Sequence, residues 1–104
     1  MDSQLKRGIL ETCVLAVLAK GDSYGYQIGA DLATVIEISE STLYTILKRL
    51  KRRGYTSAHS VEDAGRLRVY YSITFAGRAR IAEFVSEWEE VEKMSRFITG
   101  TKYQ

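Results

Sequence analysis

Residues 39–54 read Ser-Glu-Ser-Thr-Leu-Tyr-Thr-Ile-Leu-Lys-Arg-Leu-Lys-Arg-Arg-Gly, and this stretch decides the fold. Its apolar side chains recur at the three- and four-residue steps that place them on one face of a helix. They are Leu43, Ile46, Leu47 and Leu50. The opposite face carries hydroxyl groups and cations, supplied by Ser41, Thr45, Lys48 and Arg52. One face that anchors in a core and another that can meet base edges and phosphates together predict a DNA recognition helix.

The ends of this helix are also marked in the sequence. Ser39 can cap the first turn, and Glu40 places a negative charge where the helix dipole favours it. Five of the six residues from 48 to 53 are basic, so cations crowd the carboxyl end, and Gly54 provides the stop.

The positive charge of the chain is concentrated in one window. Residues 41–80 contain nine basic and two acidic side chains, whereas the remaining residues contain six basic and eleven acidic ones. The net charge of the whole chain is only +2, so the case for a polyanionic partner rests on this asymmetry. An ordinary domain with a solvated charged surface would explain the charges equally well.

Composition excludes several classes of protein. A chain of 104 residues has room for one domain with a single modest core. Its one cysteine rules out an internal disulfide and suits a reducing compartment. The longest apolar run, residues 13–19, is far shorter than the roughly 20 residues of a membrane span, and no signal peptide is evident. We therefore expect a cytoplasmic protein without a membrane partner.

Two further helices are predicted before the recognition helix. Residues 3–20 carry a broad apolar face, which is typical of a helix buried on two sides, by the core and by a second subunit. Residues 24–34 form the next helix, with Tyr24, Ile28 and Leu32 facing inward. A short turn then leads into the recognition helix, and this order is that of a helix-turn-helix unit.

After the recognition helix the pattern changes from helical to alternating. Residues 55–61 and 67–73 read as two strands, the second rich in β-branched and aromatic side chains. Residues 62–66 form the turn between them. A hairpin directly after a helix-turn-helix is a wing, and Arg66 and Arg68 near its tip can reach phosphates or the minor groove.

The last predicted helix, residues 75–97, has an apolar stripe that recurs every three or four residues. The stripe consists of Ile81, Phe84, Trp88, Val91, Ser95 and Ile98, and only Ser95 interrupts it. A long terminal helix with a narrow stripe needs a partner, and a two-fold dimer is the simplest one. Packing against its own domain alone is the alternative.

The predicted fold is mainly α with a small β-hairpin. It consists of a winged helix-turn-helix DNA-binding domain over residues 1–74 and a long C-terminal dimerisation helix over residues 75–104, joined in one compact unit.

Three motifs of this chain occur together in a known family. They are Asp22-Ser-Tyr-Gly-Tyr-Gln-Ile28; Ser41-Thr-Leu-Tyr-Thr-Ile-Leu-Lys-Arg-Leu50 with Gly54-Tyr55; and Gly65-Arg66 followed by Tyr70-Tyr-Ser-Ile-Thr-Phe-Ala-Gly77. From about residue 9 to residue 88 the chain resembles the PadR-like transcriptional regulators, and its length is similar to that of the subfamily with one C-terminal helix. The resemblance implies a winged-helix homodimer, built through the first and last helices, that represses transcription by binding a palindromic DNA operator.

The resemblance also implies which residues face DNA. They are Ser41, Thr42, Tyr44, Lys48 and Arg49 on the recognition helix, with Arg66 and Arg68 on the wing. The helical pattern adds Thr45 and Arg52. We expect the hydroxyls near the helix start to meet base edges and the cations to bind phosphates. Many family members have a lysine where this chain has Val69, which weakens the case for the wing, and packing is the alternative role for Tyr44.

Trp88 points to a ligand. Short family members that respond to drugs resemble this chain in having a tryptophan at this position, and the two tryptophans of their dimer stack on flat apolar ligands across a central pore. The resemblance thus implies a planar aromatic effector that binds at Trp88. A side chain that merely fills the dimer core is the alternative.

No residue pattern supports catalysis, and we predict no catalytic residue, metal or cofactor. Cys13 lies on an apolar helical face, where a thiol is usually inert. His59 is the sole histidine, which leaves too few ligands of the zinc-binding types. The predicted function is therefore a DNA-binding repressor. The competing hypothesis is a winged-helix small-molecule sensor or protein-interaction module that does not bind DNA.

Overall fold

The computed structural model describes residues 1–101, which form four helices and a three-stranded antiparallel sheet. The helices are α1 (Ser3–Ala19), α2 (Gly25–Leu32), α3 (Glu40–Arg52) and α4 (Phe75–Thr99), and the strands are β1 (Ser23–Tyr24), β2 (Thr56–Asp63) and β3 (Arg66–Ile73). β3 lies in the middle of the sheet, between β1 and β2. This is the predicted winged helix-turn-helix with a long C-terminal helix. The last three residues of the predicted segment 75–104 lie outside the described part of the chain.

The core is built by α1, α2 and α3. The four apolar side chains predicted for the inner face of α3 are all at most 3% exposed. They pack with Leu10, Val14, Leu15 and Leu18 of α1 and with Ile28 and Leu32 of α2. The inner face of the recognition helix is therefore fixed by the rest of the domain.

Both ends of α3 are closed as predicted. The Ser39 hydroxyl accepts a hydrogen bond of 3.1 Å from the backbone N–H of Thr42, and Glu40 lies in the first turn. At the other end Gly54 adopts φ 79°, and the N–H of Tyr55 donates to the carbonyl of Leu50. Because only glycine takes this left-handed backbone at no steric cost, Gly54 ends the helix and starts the chain toward the wing.

The second helix begins later than the sequence predicts. Tyr24 belongs to β1, where it pairs with Tyr70 of β3, and α2 starts at Gly25. Ile28 and Leu32 are buried as predicted, but Tyr24 is only half-buried. A two-residue strand has no alternating pattern to detect, and its pairing with β3 depends on residues far along the chain.

The wing is a tight hairpin. β2 and β3 pair in register from Thr56 opposite Ile73 to Asp63 opposite Arg66. Only Ala64 and Gly65 lie between the strands, with φ of 53° and 78°. Positive φ at both positions is the geometry of a two-residue turn that matches the twist of the strands. The turn is therefore shorter than the predicted 62–66.

The α4 helix leaves the domain after a well-defined start. The Thr74 hydroxyl donates to the carbonyl of Gly54 at 2.7 Å and accepts from the N–H of Gly77 at 3.1 Å. Gly77 is the only buried residue of α4, and a Cβ there would collide with the backbone carbonyl of Tyr55. Beyond this point the 25-residue helix has little cover from its own chain. Within residues 1–101, no helix combines the length and apolar character needed to cross a membrane.

Candidate nucleic-acid interface

The outer face of α3 is exposed to solvent. Ser41, Thr42, Thr45, Lys48 and Arg52 are all exposed. The hydroxyls are held by short local hydrogen bonds: Thr45 Oγ1 donates to the Ser41 carbonyl at 2.9 Å, and Thr42 Oγ1 lies 2.8 Å from Ser39 Oγ. Each hydroxyl oxygen keeps capacity for a further hydrogen bond. Neither Lys48 nor Arg52 forms an ion pair with another residue of the described chain.

Arg49 does not share this exposed face. Its Nε lies 3.4 Å from Glu11 Oε2 of α1, without hydrogen-bond geometry, and the two side chains are only 17% and 12% exposed. The pair joins the underside of the recognition helix to α1. Helical spacing puts residue 49 beside Lys48, but it does not reveal that an acid of α1 lies within reach on that side.

Tyr44 packs closely on the start of α2. A Cβ added to Gly25 would lie 2.7 Å from the Tyr44 phenol oxygen, so only glycine leaves room for this ring. The side chain is nevertheless 45% exposed. Tyr44 therefore sets the spacing between α2 and α3 and still presents a polar edge beside Ser41.

The two wing arginines lie in different surroundings. Arg66 is exposed beside the turn. The Arg68 guanidinium carbon lies 4.5 Å from the centre of the Tyr24 ring, and its Nε lies 3.4 Å from Asp63 Oδ2. The Arg68 side chain is only 31% exposed. Their alternating neighbour Leu67 is 77% exposed, so the wing tip also presents an apolar side chain.

A cleft separates the wing from the helix-turn-helix. Its volume is about 540 Å³. It is lined by Tyr24, Gly25, Tyr26 and Tyr44 on one side and by residues 66–69 and Tyr71 on the other. Burial raises the pKa of the Tyr71 phenol, and nearby Tyr44 raises it further. Cations and phenols thus meet between the recognition helix and the wing.

Tyr26 is a member of this surface that the sequence reasoning missed. Its side chain is 79% exposed at the first turn of α2. A signal was present, because residue 26 falls on neither of the inward positions Ile28 and Leu32. Its aromatic character concealed that signal, since large rings are usually read as core.

Trp88 is half-buried on α4 and stacks on Phe84 one turn earlier. The ring centres are 6.0 Å apart and the planes are 12° from parallel. Toward the end of the helix the stripe becomes open: Val91 is 42% and Ile98 80% exposed, and the adjacent Phe97 is 87% exposed. The stripe is therefore covered near Ile81 and uncovered in its second half.

The remaining reactive side chains form no catalytic constellation. Cys13 is half-buried on α1, and burial raises the pKa of its thiol. His59 stacks on Tyr70, with ring centres 6.2 Å apart. Among residues 1–101 no three His, Cys, Asp or Glu side chains are placed to hold a metal ion together.

Comparison with known proteins identifies the family. The sequence pattern that defines the PadR-like family of transcriptional regulators matches residues 14–83, more than half of the chain. The chain belongs to this family. A PadR-like relative, an uncharacterized protein of Lysinibacillus sphaericus, is 35% identical over 88% of this chain and 89% of its own length.

Solved structures of similar proteins agree with this assignment. A transcriptional regulator from Clostridium thermocellum is 34% identical, superposes with a TM-score of 0.81, and is covered over 90% of this chain and 96% of that one. Bacillus subtilis PadR in complex with operator DNA shares the fold with a TM-score of 0.67 at 21% identity, over 74% of this chain and 46% of that one. The winged helix of the present chain is thus the family's fold, and transcription regulation is the family's function.

Proposed function

We propose that this PadR-like chain is a sequence-specific repressor that binds a palindromic DNA operator as a homodimer. The observation that carries the proposal is the division of α3 into two faces. Its apolar face is almost completely buried, and its opposite face offers exposed hydroxyls and cations. A rigid helix with that outer face suits the major groove, where side chains read base edges and bind phosphates.

Each residue of this face has a role in the proposal. Ser41, Thr42 and Thr45 near the start of α3 contact base edges, while Lys48 and Arg52 bind phosphates. Tyr44 contributes its exposed hydroxyl, and Arg66 extends the contacts to the wing. Arg49, for which the sequence predicts a phosphate contact, is held by Glu11 instead, so we assign it to positioning the helix. The operator complex of Bacillus subtilis PadR supports DNA as the partner, because the two proteins share this winged helix.

The uncovered half of α4 supports the homodimer. Val91, Phe97 and Ile98 would remain in water in a lone chain, whereas a second α4 can cover them. A two-fold dimer presents two recognition helices to half-sites about one DNA turn apart, roughly 34 Å. A palindromic operator follows from that symmetry. Such a regulator acts where the DNA is held, in keeping with the expected cytoplasmic location.

Release from DNA is assigned to a planar aromatic effector that stacks on Trp88. The rings of Trp88 and Phe84 are already parallel, which supports a stacking surface on α4. An effector of this kind must bind the DNA-incompetent dimer more tightly than the competent one, since otherwise it shifts nothing. Titration of planar aromatic compounds should quench the fluorescence of this single tryptophan, and an unchanged signal across a varied panel would contradict the assignment.

The test of DNA binding uses the variant Lys48→Ala. A duplex recovered by selection from random sequence is titrated with protein at several salt concentrations. Loss of one phosphate contact should lower the affinity for every sequence and reduce the slope of log K against log salt by about 0.9. Lys93→Ala, which removes the same charge from α4, should leave both quantities unchanged. Unchanged affinity of Lys48→Ala at low salt would contradict the proposal and favour a module that does not bind DNA.

A further inference from the structure

Two consecutive residues at the start of α2 receive contacts from both DNA-facing elements. The Arg68 guanidinium of the wing stacks on the Tyr24 ring, with its carbon 4.5 Å from the ring centre. The Tyr44 phenol of α3 lies against Gly25, where any Cβ would displace it. The wing and the recognition helix are thus located relative to each other through the same two residues.

Arg68 reaches across the whole sheet. It lies on the central strand β3, contacts the Tyr24 ring of β1 on one side, and is paired with Asp63 of β2 on the other. The Tyr24 ring also packs against Tyr70 of β3, with centres 5.2 Å apart. Arg66, two residues earlier on the same strand, is exposed and forms no ion pair within residues 1–101.

We propose that Arg68 is a positioning residue that braces the wing against the start of α2, and that Arg66 is the wing cation that binds phosphate. This inference rests on the proposed DNA-binding function and assigns different roles to two arginines that look equivalent in the sequence. A guanidinium stacked on a ring and paired with a carboxylate must give up both contacts before it can bind a phosphate. The exposed Arg66 gives up nothing comparable.

The brace has a second effect, on charge. Asp63 lies beside the turn at the wing tip, where its carboxylate would repel the phosphates of a bound duplex. Arg68 neutralises that carboxylate at 3.4 Å. Removal of Arg68 therefore loosens the wing and also exposes an acidic group to DNA, so the additional change Asp63→Asn should restore part of the affinity that Arg68→Gln loses.

The first arm of the test examines the free protein by NMR. Protons of an arginine stacked over a tyrosine ring are shifted upfield by the ring current. We expect that shift for the Arg68 side chain, and we expect Tyr24→Leu to abolish it while the Arg66 signals stay unchanged. Ordinary solvent-exposed shifts for Arg68 in the unsubstituted protein would overturn the proposal. This arm requires no DNA, so it decides on the brace even if no duplex binds.

The second arm measures the salt dependence of binding to a duplex recovered by selection from random sequence. Arg66→Gln should reduce the slope of log K against log salt by about 0.9, the value for one lost phosphate contact. Arg68→Gln should weaken binding about two- to fivefold at unchanged slope, as expected for loss of an exposed cation–π contact. Tyr24→Leu should have the same effect, and combining it with Arg68→Gln should add little.

Two results separate the brace from the proposed function. A reduced slope for Arg68→Gln, equal to that of Arg66→Gln, would show a direct phosphate contact and overturn the brace. Failure of the unsubstituted protein to bind any selected duplex would contradict the proposed function, and the NMR shift of Arg68 would then decide the brace alone.

Discussion

The helices α3 and α4 carry similar apolar patterns but differ in what covers them. The apolar side chains of α3 recur every three or four residues, and each is at most 3% exposed. Those of α4 recur at the same steps, yet Val91 is 42% and Ile98 80% exposed. α3 is enclosed by α1 and α2 of its own chain, whereas α4 extends beyond the domain. Periodicity thus predicts which face of a helix is apolar, and it leaves open whether the chain itself covers that face.

This difference predicts that truncations on the two helices have unequal effects on one protomer. Leu47→Ala should lower the free energy of unfolding by about 3–5 kcal/mol, because it opens a cavity in a fully enclosed core. Ile98→Ala removes a similar side chain from a largely exposed position and should change the stability of the protomer by less than about 0.5 kcal/mol. Urea unfolding, monitored on dilute protein, checks both values. Equal losses would mean that α4 is enclosed like α3.

The same difference predicts that charge on the α4 stripe separates two protomers. The double variant Val91→Asp/Ile98→Asp should halve the solution mass at unchanged helical content. Loss of the second recognition helix should then weaken operator binding about a hundredfold or more. Ala82→Asp/Ser86→Asp adds the same charge away from the stripe and should remain dimeric. A normal mass for the stripe variant would show that α4 does not join the protomers.

A third prediction concerns the ion pair that ties α3 to α1. Glu11→Gln leaves the Arg49 charge largely enclosed without a counter-charge and should cost about 1–3 kcal/mol of stability. The double change Glu11→Leu/Arg49→Met should recover part of that loss, because it removes both charges from the enclosed site. Glu87→Gln breaks the exposed pair with Arg80 on α4 and should cost less than about 1 kcal/mol. Denaturant titration distinguishes these cases, and equal costs at the two sites would contradict the assignment of Arg49.

The smallest expected effect is the pH dependence contributed by Tyr71. Burial raises the pKa of this phenol in the folded chain above its ordinary value of 10.0. The contribution to stability is therefore fully present below about pH 10, where both states are protonated, and is lost as the pH rises through the folded value. Tyr71→Phe should show a shallower loss of stability in that alkaline range. An identical pH profile for the variant would mean that Tyr71 ionises alike in both states.

Local patterns in the sequence were sufficient to predict much of the fold. The Ser39 cap, the buried side of α3, the hairpin and the Thr74 start of α4 all follow from interactions within a few residues. β1 could not be predicted, because a two-residue strand exists only through its pairing with the distant β3. The prediction for Tyr24 as a helical core residue was wrong for that reason.

Long-range contacts also explain what the sequence leaves undecided in the candidate interface. Arg49 and Arg68 lie in cationic stretches and appear equivalent to Lys48 and Arg66 by spacing. Their surroundings are set by Glu11 and Tyr24, each distant along the chain. Charge along a sequence therefore indicates the surface that attracts DNA, and the fold determines which cations remain available to bind it.

Hydroxyl-radical footprinting on a selected duplex tests the central claim most directly, because it reports DNA contact and two-fold pairing together. We predict two protected regions of equal size, centred about one helical turn or roughly 34 Å apart, and the loss of both when Lys48 is replaced by alanine. A single protected region, or protection that persists in Lys48→Ala, would contradict a paired reader whose contacts lie on the outer face of α3.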